Sequence, residues 1–145
     1  LLKVDPKKRM MFNPNESIQL QGHTGPFIQY THARIRSIVR KAATLELPDE
    51  PVALSDLLPN ERNLISLLSI YPSRVLDAAR DYSPSIIANY AYDLAKEYNQ
   101  FYQSIPIFAE TDQQKLKLRV SLSEQVGQVI GKAMNLLGVT VPERM

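Results

Sequence analysis

Phe27, Tyr30, Arg34 and Lys41 recur at helical spacing within residues 25–43, a segment that reads as one helix. At about 100° per residue they share one face. Two flat rings beside two cations suit a ligand that is both flat and anionic, and single-stranded nucleic acid is such a ligand. On spacing alone the plainer arrangement is favoured: the rings extend a hydrophobic core and the cations are solvated. A second aromatic group lies at Tyr98, Phe101 and Tyr102. Phe101 reads as core. Tyr98 and Tyr102, one helical turn apart, suit either core or a stacking surface, because a tyrosine ring can stack while its hydroxyl stays wet. The basic cluster Lys3, Lys7, Lys8 and Arg9 is either a solvated linker or a phosphate-contacting segment.

Sets that could do covalent chemistry are missing from the sequence. It contains no Gly-rich phosphate loop and no G-x-S-x-G elbow. His23 and His32 have no carboxylate at metal-ligand spacing, and a lone helical histidine is most often a hydrogen-bonded structural residue. The carboxylates are scattered. Fragment-level catalysis, including that of a helical small-molecule enzyme, is therefore not expected.

The elements that must position these residues are helical. Pro26 opens the first long helix, with its fixed φ suited to a first turn. Ile28, Thr31, Ile35, Ile38, Val39 and Ala42 form its core-facing stripe. Before it, Asn13-Pro14-Asn15 signals a turn, and Ser17 to Leu20 could be a short strand or one helical turn. After it, Pro48 and Pro51 mark a loop whose Glu46, Asp49 and Glu50 argue against a nucleic-acid contact. Pro59 starts a second helix carrying Leu64, Leu67, Leu68 and Tyr71. Pro72 breaks it and begins a third, packed through Val75, Leu76, Ala78 and Ala79. Ser83-Pro84 caps and starts a fourth, to about Ser104, with the continuous stripe Ile87, Tyr90, Ala91, Leu94, Tyr98, Phe101 and Ile105. Thr111 or Asp112 caps a fifth, to Leu137. This last helix is apolar over most of its circumference, through Leu116, Val120, Val126, Ile130, Met134 and Leu137 on one row and Leu118, Leu122, Val129 and Leu136 on another. Such a helix lies inside a bundle. Gly127 and Gly131 allow a neighbouring backbone to approach, and Gly138 is the expected glycine past the helix end.

An all-α, single-domain bundle of about five helices follows. The chain of 145 residues has only 5 glycines and a net charge of +2. Any nucleic-acid binding must then come from local arrangement, not from bulk charge. The absence of cysteine fits a reducing interior and excludes disulfides and thiol catalysis. No apolar run reaches the ~18 residues of a membrane span. The start, Leu1-Leu2-Lys3-Val4, lies inside an apolar run without an initiator methionine. The chain is expected to be a fragment whose missing part precedes it, with 1–24 as a connecting segment and 25–145 as the helical domain.

Four stretches together are informative: LLKVDPKKRMMFNP, GHTGPFIQYTHARIRSI, SPSIIANYAYDLAKEYNQFYQ and MNLLGVTVPERM. In this order and spacing they resemble the C-terminal region of the arginyl-tRNA synthetase family, over nearly the whole chain. The resemblance implies the α-helical anticodon-binding domain of a class I synthetase. The full enzyme would use ATP to couple arginine to the 3′ end of its tRNA. The fragment would hold an arginine-accepting tRNA and carry no cofactor of its own. Its other partner would be its own catalytic domain. The expected state is a cytoplasmic monomer away from membranes.

The resemblance also implies roles for residues. Positions matching Phe27, Tyr98 and Tyr102 pack against splayed anticodon-loop nucleotides, and the position matching Arg34 contacts the loop. Met145 lies on an anticodon base, with its carboxylate nearby. Lys7, Lys8 and Arg9 lie towards the inner side of the tRNA; Lys41 is added as a candidate backbone contact from its helix face, not from the resemblance. At Phe27 a tyrosine is common in the family, so a hydroxyl is lost there while stacking is kept. Tyr30 gains no such support and is read as core. The competing class is a helical protein-interaction module, with Phe27, Tyr30, Tyr98 and Tyr102 receiving a partner helix.

Overall fold

The computed structural model describes residues 4, 7–9, 11, 13–20, 22–49, 51 and 56–145. Leu1, Leu2, Lys3 and Glu50 of the sequence reading lie outside them. Among the described residues there are six α-helices, one 3₁₀ turn and no strand: α1 (Pro14–Ser17), α2 (Gly25–Ala42), α3 (Pro59–Ser69), α4 (Tyr71–Asp81), α5 (Pro84–Ser104), the turn Ile107–Ala109, and α6 (Gln113–Leu136). The helix added to the expected five is α1. It is a single turn at 14–17 and shares Ser17 with the segment 17–20 expected to be a short strand or one helical turn.

Local chemistry accounts for the helix ends. Thr24 caps α2 by accepting the Phe27 N–H, and Pro26 sits in the first turn. Asp112, not Thr111, caps α6, accepting from the Gln114 and Lys115 N–H groups. Ser83 stands at the cap position of α5, but its hydroxyl pairs with that of Ser85 instead. The break between α3 and α4 falls at Ile70, which ends one helix and precedes the other, so Pro72 lies within the first turn of α4. Past α6, Gly138 adopts φ +71°, a left-handed conformation that glycine enters without steric cost. Its N–H donates to Asn135 O and that of Val139 to Met134 O, a Schellman ending that turns the chain back towards α2.

α2, α5 and α6 pack on one another, α3 covers α5 and α6, and α4 leans on α5. The core joins Ile28, Ile35 and Ile38 of α2, Leu94, Tyr98 and Phe101 of α5, and Val126 and Ile130 of α6. α2 and α6 meet closely at Gly127. A Cβ there would stand 2.7 Å from Ile35 Cγ2, so the small residue sets the approach. At Gly131 the same test gives 3.9 Å to His32 and Val141, an ordinary contact, so the approach does not depend on glycine there.

α6 is not wholly apolar inside. Arg119 is buried, with its Nε 2.9 Å from Glu61 on α3 and a terminal nitrogen 2.7 Å from Glu110. Glu61 also accepts the Leu58 N–H at the start of α3, so one carboxylate caps a helix and neutralises an arginine. At the α3–α4 break the Tyr90 hydroxyl donates to Leu67 O, and burial pushes its pKa up to about 12.

Candidate nucleic-acid interface

Three separate stretches form one cleft of about 510 Å³. Its walls are Tyr30, Arg34, Ser37 and Arg40 of α2, Tyr102 of α5, and Arg144 and Met145 of the segment after α6. That volume is in the range of small-ligand sites. Arg34 is the residue that links two of these walls. Its guanidinium carbon lies 4.9 Å from the centroid of the Tyr30 ring and 4.9 Å from that of Tyr102. Two electron-rich faces thus hold one planar cation.

Asn99 completes the arrangement. Its side-chain carbonyl accepts from Arg34, while its amide donates to Thr31 Oγ1 at 2.7 Å and to Ala95 O at 2.9 Å. Thr31 donates in turn to Phe27 O. The chain of bonds fixes the guanidinium plane from below. A planar group fixed in advance loses little freedom when it binds. Arg34, Arg40 and Arg144 all line the cleft, and among the described residues no aspartate or glutamate side chain does. The cleft therefore presents rings, a held guanidinium and positive charge on one surface.

Of the residues expected to contact RNA, Arg34, Tyr102 and Met145 come together here. Tyr102 is 40% and Met145 64% exposed. Tyr30 joins them at 39% exposure, so the reading of Tyr30 as core is corrected. Being four residues before Arg34, its ring lies on the same side of α2, where the arginine covers it.

Tyr98 takes the opposite place. It is 0% exposed, against Phe101 with ring centroids 5.7 Å apart. The expectation of a stacking ring at Tyr98 is corrected: its side chain lies on the core stripe of α5, and no face of it is open to a base. Burial raises its hydroxyl pKa well above the tyrosine range, and Ser123 opposes only part of the rise.

Phe27 does not line the cleft. It packs on Tyr92 of α5, ring centroids 5.4 Å apart, and Tyr92 meets His23 at 3.9 Å. Lys41 lies about two turns beyond Arg34, with its ammonium 4.3 Å from the Phe108 centroid. Lys7 lines a different recess, with Arg80, Tyr82 and the start of α5, and Lys8 and Arg9 are exposed. Ser85 and Tyr102 lie 17 residues apart on α5, which separates that recess from the cleft by about 25 Å along the helix. Sequence reasoning missed Asn99. Its position one residue from Tyr98 and three from Tyr102 was the available signal.

Among the described residues, no group of three His, Cys, Asp or Glu side chains stands where it could hold a metal. None of the described helices is long and apolar enough to cross a membrane.

A helical bundle with an arginine held between tyrosines, edged by further arginines, defines a class of domain suited to flat, anionic ligands. Comparison with known proteins narrows the class. Residues 28–145 match the model of the DALR anticodon binding domain. The chain belongs to that family. It is 53% identical over 146 residues to the arginine–tRNA ligase of Flavobacterium psychrophilum and 52% identical over 147 residues to that of Phocaeicola vulgatus; each alignment covers 100% of this chain and 24% of the relative. Among solved structures, the arginyl-tRNA synthetase of Thermus thermophilus superposes with a TM-score of 0.88 at 34% identity, over 99% of this chain and 25% of that one. The Plasmodium falciparum enzyme shares the fold, with a TM-score of 0.85 at 24% identity, over 99% of this chain and 25% of that one. The chain thus spans about a quarter of the length of the relatives it matches.

Proposed function

We propose that this chain is the anticodon-reading part of an arginine–tRNA ligase, and that its cleft takes an unstacked base of the anticodon loop. The observation that carries the reading is Arg34 held over both Tyr30 and Tyr102 in a cleft lined by no acidic side chain. RNA loops are read by splaying bases onto aromatic and guanidinium planes and by bonding their edges. Arg34 spends one donor on Asn99 and keeps others for a base edge or a phosphate. Met145 supplies a soft apolar edge against which a base can lie, and Arg40 and Arg144 draw in the backbone. Recognition of this kind needs few phosphate contacts, which accords with a net charge of only +2. The whole enzyme would use ATP to join arginine to the far end of the same tRNA, with that chemistry carried by residues outside this chain. It would work in the cytoplasm, as a monomer.

The test is titration of the chain with a fluorescent anticodon stem–loop from an arginine-accepting tRNA. Each lost stack is worth about 1–3 kcal/mol, so Tyr30→Ala or Tyr102→Ala weakens binding about fivefold or more, with the helical fold kept. Binding also falls as salt rises, because counterions are released. Affinity unchanged in both variants, or insensitive to salt, would point to a hydrophobic protein partner and end the RNA reading.

A further inference from the structure

Residues 139–145 do not simply trail from α6. They lie along α2, and one row of that helix holds them. The Gln29 amide donates to Thr140 O at 2.8 Å, and His32 Nδ1 lies 3.0 Å from Pro142 O. Arg36 Nε donates to the Glu143 carboxylate at 2.7 Å, and Arg40 donates to Glu143 O at 3.0 Å. Residues 29, 32, 36 and 40 fall within about 80° on a helix, so they form a single row. The row advances about 16 Å along α2, while three extended residues advance about 10 Å. The arginine side chains, which tilt towards the helix N-terminus, make up the difference. Val139 and Val141 of the same segment pack against the core. The Glu143 carboxyl is held below the ordinary glutamate range, chiefly by its bond to Arg36.

We propose that this α2 row is a template for the segment after α6, and that Glu143 is a positioning residue that sets where Arg144 and Met145 stand in the cleft. The proposal rests on the cleft being the RNA site. Glu143 does not line the cleft, yet it is fixed at the residue just before the two that do. Arg36 and Arg40 serve it from outside and from the rim respectively. The arrangement also spends one anionic charge beside a site for a polyanion, which makes sense only if the placement gained outweighs the repulsion.

The sign of one substitution separates the two effects. If Glu143 acts on RNA only through its charge, Glu143→Gln strengthens binding of the anticodon stem–loop. If it positions the segment, Glu143→Gln weakens binding by up to about fivefold, the upper end for an exposed ion pair. The exchange Arg36→Glu with Glu143→Arg then restores most of the affinity that either single change loses. A readout without RNA accompanies this. The Met145 methyl signal in the NMR spectrum moves in Glu143→Gln towards its position in an unstructured peptide, and returns in the exchanged pair. A Met145 signal unmoved by Glu143→Gln, or tighter RNA binding, overturns the proposal. Should the signal move as expected while Arg34→Ala and Met145→Ala leave RNA affinity unchanged, the template stands and the RNA site fails. The two failures are therefore distinguishable.

Discussion

Replacing Tyr98 by phenylalanine should make the protein more stable and leave its RNA affinity unchanged. The side chain is 0% exposed, and its hydroxyl has no hydrogen-bond partner. Ser123, the polar group near it, gives its own proton to Arg119 O at 2.7 Å, so it could serve Tyr98 only as an acceptor, and its oxygen stands outside hydrogen-bond geometry for that. A buried hydroxyl without a partner costs about 1–3 kcal/mol relative to one that is bonded or absent. The Ser123 dipole recovers part of that, and losing one oxygen leaves a small void, so a net gain of about 1 kcal/mol is expected. For a domain of this size that raises the melting temperature by about 3 °C. The ring, which carries the packing against Phe101, is retained. Urea denaturation followed by circular dichroism measures the first effect, and titration with the labelled stem–loop the second. A lower unfolding midpoint would mean that the hydroxyl is bonded in solution and that the burial argument is wrong. Weaker RNA binding at unchanged stability would return Tyr98 to the interface.

Other substitutions probe the same frame. Arg119→Met strands Glu61 in the interior, and breaking a buried pair in this way costs about 3–5 kcal/mol; a midpoint within error of the parent would show the pair to be solvated. Gly127→Ala and Gly131→Ala should differ in sign. The first pushes a methyl to 2.7 Å from the buried Ile35, and overpacking of about 1–3 kcal/mol outweighs the roughly 1 kcal/mol of helix propensity gained. The second meets only ordinary contacts and keeps the gain; equal shifts in denaturation midpoint would refute the close approach. Acid should loosen the structure by a definite route. The pKa values of Glu143, bonded to Arg36, and of Glu110, bonded by the Asp112 N–H, are lowered on folding, so their stabilisation is full above the ordinary glutamate value of 4.5 and is lost as pH falls through the lowered values. Melting temperatures measured from pH 7 to pH 3 should fall below pH 4.5, and a flat profile would contradict this.

Most of the architecture was legible from residue order. Prolines in first turns, Asp112 as a cap and Gly138 past α6 marked helix ends because each acts within a few residues. The stripe of α5 already held Tyr98 between Leu94 and Phe101, so its burial was readable from helical spacing alone. The family likeness pulled it outward instead. Tyr30 shows the reverse: its place depends on Arg34 beside it and on Tyr102 of another helix. Arg119 was lost among the apolar rows of α6, since nothing nearby in sequence announces Glu61 as its partner. The Arg34–Asn99 bond spans 65 residues and the His32–Pro142 contact 110, distances at which local pattern carries no signal.

The cleft borrows from three stretches of chain that only folding brings together, and this makes it a gauge of the folded state. Nothing in the unfolded chain resembles it, so a ligand that occupies it draws the whole folding equilibrium with it. At a concentration one hundred times its dissociation constant, such a ligand adds about 2.7 kcal/mol to the stability of the domain. Thermal shift with and without the stem–loop would then report occupancy of Tyr30, Arg34 and Met145 through the melting of helices as distant as α3.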